Sequence, residues 1–142
     1  MTEAQRLIAV LGLEPHPEGG WYRQTWVDDT SPGRPSGTAI HFLLQAGERS
    51  HWHRVDATEI WHWHAGAPLI LSLAETTEGP ARDIRLGPDV LAGDAPQVIV
   101  PAHHWQAAAP TGDWTLVSCT VSPGFRFEGF TLAPPGFDIP RA

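Results

Sequence analysis

Glycine and proline punctuate this chain so densely that long helices are excluded over most of its length. Each occurs 14 times in 142 residues. Breaks at Gly47, Gly66, Gly79, Gly87–Pro88, Gly93 and Gly112 cut the sequence into short apolar-rich segments. Such segments, bounded by turn formers, read as β-strands of an antiparallel sandwich or barrel. Strands are expected at 21–27, 38–45, 50–55, 58–64, 68–75, 81–86, 97–101, 104–109, 114–121 and 126–132, with a polar loop over 28–37. The exception is the beginning. Thr2 and Gln5 stand three apart, the spacing of a capping box, and Leu7, Val10 and Leu11 follow on one helical face before Gly12. The pattern predicts a short helix over 3–11 packed on the outside of an all-β domain. No linker, repeat or low-complexity tract interrupts the chain, so residues 1–142 read as one domain. The barrel would occupy about 20–133, and the Pro-rich tail 134–142 would run over the surface or towards a partner subunit.

Charge narrows the possible partners. The formal net charge is −7 and lysine is absent. Nucleic-acid and anionic-lipid surfaces call for a clustered basic face, and none is visible. No apolar run is long enough to span a bilayer, and the first residues lack the basic and apolar stretches of a secretory signal. A cytoplasmic protein without nucleic-acid or membrane partners is expected. The single cysteine, Cys119, rules out an internal disulfide and reads as a small buried apolar residue of a strand.

The eight histidines and seven tryptophans are the unusual component. His51-Trp52-His53 lies in one expected strand, and Glu59 opens the next. Residues two apart on a strand share a face, so His51 and His53 would point together, with Trp52 opposite. In the next strand Glu59, Trp61 and Trp63 would share one face, and His62 and His64 the other. Paired as a hairpin, the two strands would set Glu59 across from His53. Two imidazoles and a carboxylate form a ligand set for a divalent transition metal. His53 and Glu59 alone form a general acid–base pair.

Gly47, His51-Trp52-His53, Glu59 and Gly66 together resemble the first motif of the cupin superfamily, in which a glycine precedes His-x-His, Glu and a further glycine. The six residues between Glu59 and Gly66 keep that motif's spacing. Gly47 stands closer to His51 than the motif has it, and the turn between His53 and Glu59 is a residue longer. Gly93 and Pro101-Ala102-His103-His104-Trp105-Gln106 resemble the second motif, with His103 in place of its glycine and Gln106 where its metal histidine stands. Further segments are His16-Pro-Glu-Gly-Gly20-Trp-Tyr near the start and Val121-Ser-Pro-Gly-Phe125-Arg-Phe-Glu128-Gly-Phe130 near the end. With them, residues 5–134 look like the small cupin branch catalogued as a domain of unknown function, the fifth cupin family. The resemblance implies an RmlC-like jelly-roll barrel, usually a homodimer, and supplies no reaction.

These readings set the candidate site. His53 and Glu59 are the expected catalytic pair. Gln106, Arg54, Trp61, Trp63, Glu18 and Arg23 are the expected ligand contacts: aromatic faces suit sugars and planar rings, and an arginine grips a carboxylate or phosphate. His16 and Glu18 would reach the barrel mouth on a loop shaped by Gly19 and Gly20. His51, His53 and Glu59 are the expected holders of a metal such as Zn, Ni, Fe or Mn. Three functions stay open. The first is an isomerase, epimerase or dehydratase acting on a sugar, sugar nucleotide or related small polar metabolite. The second is a metal-dependent, oxygenase-like enzyme. The third is a module that binds a small molecule without turnover.

Overall fold

The computed structural model describes residues 1–30 and 32–141. Helix α1 spans Glu3–Leu11. Thr2 and Gln5 cap it reciprocally, through bonds of 2.9 and 3.1 Å, and Gly12 ends it in the left-handed conformation at φ 66°. Ala4, Leu7, Ile8 and Leu11 form the buried stripe, packing with Leu13, Leu43 and Trp114. Val10, expected on that stripe, is 81 % exposed. Positions 4, 7, 8 and 11 follow the helical repeat, and position 10 falls beside it.

Eleven strands follow in chain order: β1 (Glu14–Pro15), β2 (Trp21–Val27), β3 (Thr38–Gln45), β4 (Ser50–Val55), β5 (Thr58–Gly66), β6 (Leu69–Ala74), β7 (Arg82–Leu86), β8 (Gln97–Val100), β9 (Trp105–Pro110), β10 (Trp114–Ser122) and β11 (Phe130–Leu132). They form two antiparallel sheets. One has the order β1-β2-β3-β10-β5-β8 and the other β11-β4-β9-β6-β7. Face to face, the two sheets make the expected jelly-roll barrel, with α1 against the outside of the six-stranded sheet.

Two expectations change. β4 and β5 do not pair as a hairpin. They belong to opposite sheets, and Asp56-Ala57 is a corner between them. The corner is fastened by Arg34, which grips Asp56 at 2.7 and 3.2 Å, and by the Asp56 amide, which donates to the Gly129 carbonyl at 3.0 Å. A side chain at 129 would overlap the Asp56 carboxylate at 2.3 Å and would have to displace it from Arg34. The expected strand over 126–132 is also shorter. Phe127–Gly129 form a 3₁₀ turn, and pairing with β4 begins only at Phe130.

The barrel is filled unevenly. One end is packed with hydrocarbon from Phe42, Leu44, Trp61, Leu71 and Val117. The other end holds buried polar side chains around a cavity. The tail is described through Arg141. It runs over the outer face of the five-stranded sheet, burying Ile139 completely against Trp52 and Trp105. Trp52 Nε1 donates to Asp138 at 2.8 Å, and Arg141 donates to Asp83 and Ser72, each at 3.0 Å. Among the described residues, no helix is long and apolar enough to cross a membrane.

Candidate functional site

The cavity has a volume of about 140 Å³. Its titratable side is His16, Glu18, His53 and Glu59, with Gln24 and Thr38 as neutral polar lining. Its apolar side includes Tyr22, Phe125, Phe127 and Phe130, and the half-exposed Phe127 marks the mouth. Cys119 and Val121 of β10 form part of the wall.

Local backbone irregularities place the polar groups. The register of β4 against β9 shifts between Ser50 and His53, a β-bulge. Such an insertion breaks strict alternation. Ser50, His53 and Val55 therefore face the interior, and His51 and Trp52 turn outward beneath the tail. Glu18 arrives on the turn joining β1 to β2. There Gly19 and Gly20 take φ values of 108° and 77°. A side chain at 19 would strike the Arg49 carbonyl at 2.1 Å. That close approach lets the Glu18 carbonyl accept from the His51 amide at 2.8 Å and aims its carboxyl inward. In the second motif segment, His103 adopts φ 70°, the left-handed conformation that glycine takes without strain, and its amide donates to the Val55 carbonyl at 2.8 Å.

Three of the four titratable groups, His16, Glu18 and His53, are in direct contact, and Glu59 is held separately. Glu18 Oε1 lies 3.3 Å from His16 Nδ1 and 3.6 Å from His53 Nε2, and Ser50 Oγ donates to Glu18 Oε2. The Glu18 amide donates to His16 Nδ1 at 3.1 Å. His53 Nδ1 lies 2.7 Å from the His51 carbonyl, which assigns the proton of the neutral ring to Nδ1 and leaves Nε2 facing Glu18. Across the barrel, Gln106 Nε2 donates to Glu59 Oε1 at 2.8 Å, and Trp61 Nε1 holds the Gln106 carbonyl at 2.8 Å.

Burial sets the proton affinities. It raises Glu18 to about 8, against the opposing hydrogen bond from Ser50. It raises Glu59 to about 7, helped by the Glu18 charge and opposed by His53 and Gln106. It lowers His16 to about 4, with His53 adding to the effect, and lowers His53 against the pull of Glu59. Burial and then the Glu59 and Glu18 carboxyls push the Cys119 thiol well up, so it is an inert wall group. Near neutral pH the cavity thus holds two carboxyls that still retain protons and two neutral imidazoles.

The expected site residues divide accordingly. His53, Glu59 and Glu18 face the cavity, with His16 beside them. Gln106 does not line it; it stands behind Glu59 and orients that carboxyl. Trp61 is a core side chain acting through Gln106. Trp63 packs at the filled end and donates to the Ala67 carbonyl at 3.1 Å. Arg54, on the outward face of β4, stacks over Trp105 at 5.0 Å. Arg23 reaches the Leu11 carbonyl at 3.4 Å on the helix side of the sheet. Both arginines point away because strand alternation puts them opposite the inward residues. The wall of Tyr22, Phe125, Phe127 and Phe130 was not expected. Its signal was the uneven spacing of the three phenylalanines, which period two does not accommodate and the 3₁₀ turn does.

The expected metal set is not assembled. The bulge turns His51 outward, where its Nε2 lies 2.9 Å from the Pro134 carbonyl. Gln106 stands where the motif has a histidine, and its amide nitrogen is committed to Glu59. Among the described residues, no group of three histidine, cysteine or acidic side chains converges to hold a metal. The donor set present does not fit the metal that the motif implies.

The family model described as "Cupin superfamily (DUF985)" matches residues 5–133. No curated protein matches the sequence significantly. A crystal structure of a protein from Shewanella oneidensis is 41 % identical, with a TM-score of 0.87 over 94 % of this chain and 85 % of that one. A hypothetical protein from Leishmania major is 29 % identical, with a TM-score of 0.83 over 96 % and 90 %. Oxalate decarboxylase from Bacillus subtilis shares the fold at 11 % identity, with a TM-score of 0.64 over 83 % of this chain and 29 % of that one. With its barrel, its two motif segments and its full-length relatives in agreement, the chain belongs to the cupin superfamily, in the family of unknown function DUF985.

Proposed function

We propose that the protein binds a small molecule in the barrel cavity and transfers a proton to and from it, as an isomerase or epimerase does. The observation that carries this reading is the pair of buried carboxyls, Glu18 and Glu59, held near 8 and 7 in the wall of one cavity with His53. A general acid or base works best with a proton affinity near the ambient pH. Glu59, fixed by Gln106, serves as base. Glu18 and His53, 3.6 Å apart, serve as acid and proton relay.

The cavity size limits the substrate. A cavity of about 150 Å³ holds one benzene ring, so the part of the ligand inside is a small ring or a short branched chain. A whole sugar nucleotide exceeds this space. The oxygenase-like reading loses support with its third ligand, His51. A binding module without turnover remains the competing function, and the aromatic wall suits it equally well.

The test is solvent exchange. Ligands found by thermal shift among small sugars, carbonyl compounds and amines are incubated with the protein in D₂O and followed by proton NMR. Proton transfer replaces one carbon-bound hydrogen with deuterium, and Glu59→Gln stops the exchange. A ligand that binds and keeps all its carbon-bound hydrogens for hours makes the protein a binding module.

A further inference from the structure

We propose that the cavity selects small ligands bearing a protonated amine, with the ammonium group between Glu18 and Glu59 and the apolar part against Phe127, Phe130 and Tyr22. This rests on the reading of the cavity as a ligand site and names the ligand's chemical class. The first observation is an imbalance of charge-bearing groups. Two carboxyls face the cavity, and among the described residues no arginine lines it. Arg23 and Arg54, the expected anion grips, are engaged outside at the Leu11 carbonyl and over Trp105. Lysine is absent from the chain.

The second observation is that one oxygen of each carboxyl is free of protein N–H donors, Glu18 Oε1 facing His16 and His53 instead. Glu18 commits Oε2 to Ser50, and Glu59 commits Oε1 to Gln106. The other oxygen of each receives no N–H donor from the protein among the described residues. An ammonium group brings three donors and a positive charge, and so matches two acceptors that ionise as it binds. The third observation is the wall. Phe127 and Phe130 meet edge to face with centroids 6.1 Å apart, and His16 packs on Tyr22 at 4.5 Å. Aromatic faces attract a cation and accept a hydrocarbon body. A carboxylate or phosphate entering the same space would be stripped of water beside two acids with no cation to meet it.

The experiment compares three ligands of one shape, benzylamine, benzyl alcohol and benzoate, by isothermal titration on the wild-type protein near neutral pH. The expected result is that benzylamine binds at least ten-fold more tightly than benzyl alcohol and that benzoate does not bind. In Glu18→Gln/Glu59→Gln the preference for the amine disappears while the alcohol still binds. A crystal structure of the wild-type protein with benzylamine tests the geometry even if that variant fails to fold: the nitrogen is expected within hydrogen-bonding distance of Glu18 or Glu59. Equal affinity for amine and alcohol, or tighter binding of benzoate, overturns the amine assignment and leaves the cavity a ligand site. Binding by none of the three overturns both the assignment and the ligand-site reading.

Discussion

Two histidine-rich regions of this barrel differ in everything but composition. Inside, His16 and His53 are buried against Glu18 and Glu59 at the wall of a cavity. Outside, His41 and His62 flank Ser118 in register across three strands of the six-stranded sheet, and His64 Nε2 lies 2.6 Å from the Ser118 hydroxyl. The outer row bonds to Ser118 and Gln97 and has the Arg23 cation beside His41. Burial depresses His16 and His53 inside, and His41 and His62 outside, for His41 with help from His64 and Arg23. Only the inner pair has carboxyls to exchange protons with and a space for a ligand. A high density of histidine therefore does not locate chemistry. The buried carboxyl does, because an unpaired acid is costly to bury and persists where something uses it.

The sharpest way to break this contrast is to remove each set. His53→Ala or Glu59→Gln is expected to lower ligand deuterium exchange by a factor of about 100 or more. His41→Ala/His62→Ala/His64→Ala is expected to leave it essentially unchanged. NMR exchange rates on matched samples decide. A large loss in the outer variant would move the site to the sheet surface.

Stability divides the regions in the same sense. Trp61→Phe strands the Gln106 carbonyl in the interior, and an unpaired buried acceptor costs about 1–3 kcal/mol. His64→Ala removes a surface contact and is expected to stay within about 0.5 kcal/mol. Urea midpoints at constant slope measure both. Equal losses would mean that the Trp61–Gln106–Glu59 relay does not support the inner site.

The pH profile is next in size. Glu18 and Glu59 hold protons more tightly folded than unfolded. Their contribution to stability is complete below about pH 4.5 and is lost as pH rises through about 7 and 8. His16 runs the other way: its contribution is complete above 6.5 and is lost as pH falls through about 4. The slopes oppose each other between 4.5 and 6.5; above 6.5 the carboxyl slope remains, joined at its alkaline end by the buried Cys119 thiol in the same direction. A tenfold change in one proton affinity is worth about 1.4 kcal/mol, or roughly 3–5 °C of Tm in a domain of this size. Tm is thus expected to fall from pH 6.5 to 8.5 by at least that much, and less steeply in Glu18→Gln. A flat alkaline limb in the wild type would mean that the inner acids are solvated like surface ones.

The sequence made the barrel legible because its signals are local. Turn formers marked most strand ends, the capping box marked α1, and the motif spacing marked the family. Glu59 was legible as an inward residue from alternation alone. His53 faced inward as expected, but His51 did not share its face, since one bulge in β4 reversed the alternation N-terminal to His53. The sheet membership of β4 and β5 was hidden for a different reason. A two-residue connection reads as a hairpin, and only Arg34, Asp56 and Gly129, distant in sequence, make it a corner. The aromatic wall was hidden because a 3₁₀ turn and a strand end share the same phenylalanine-rich composition.

The smallest effect tests that reversal directly. His51 Nε2 meets the Pro134 carbonyl, while the tail is held mainly by buried Ile139 and by the bond from Trp52 to Asp138. His51→Ala removes one partly exposed hydrogen bond and is expected to cost about 0.5–1 kcal/mol. Amide hydrogen exchange should rise at Ala133, Gly136 and Phe137 and stay unchanged around Phe130 and Glu59. Ligand affinity and any metal content of untagged protein should also stay as they are, because the side chain never enters the cavity. Loss of a stoichiometric metal in this variant would require His51 to swing through the β4 bulge and join His53. The barrel would then switch between a metal-binding and a tail-bonded register, and inside and outside would no longer be separate regions of the molecule.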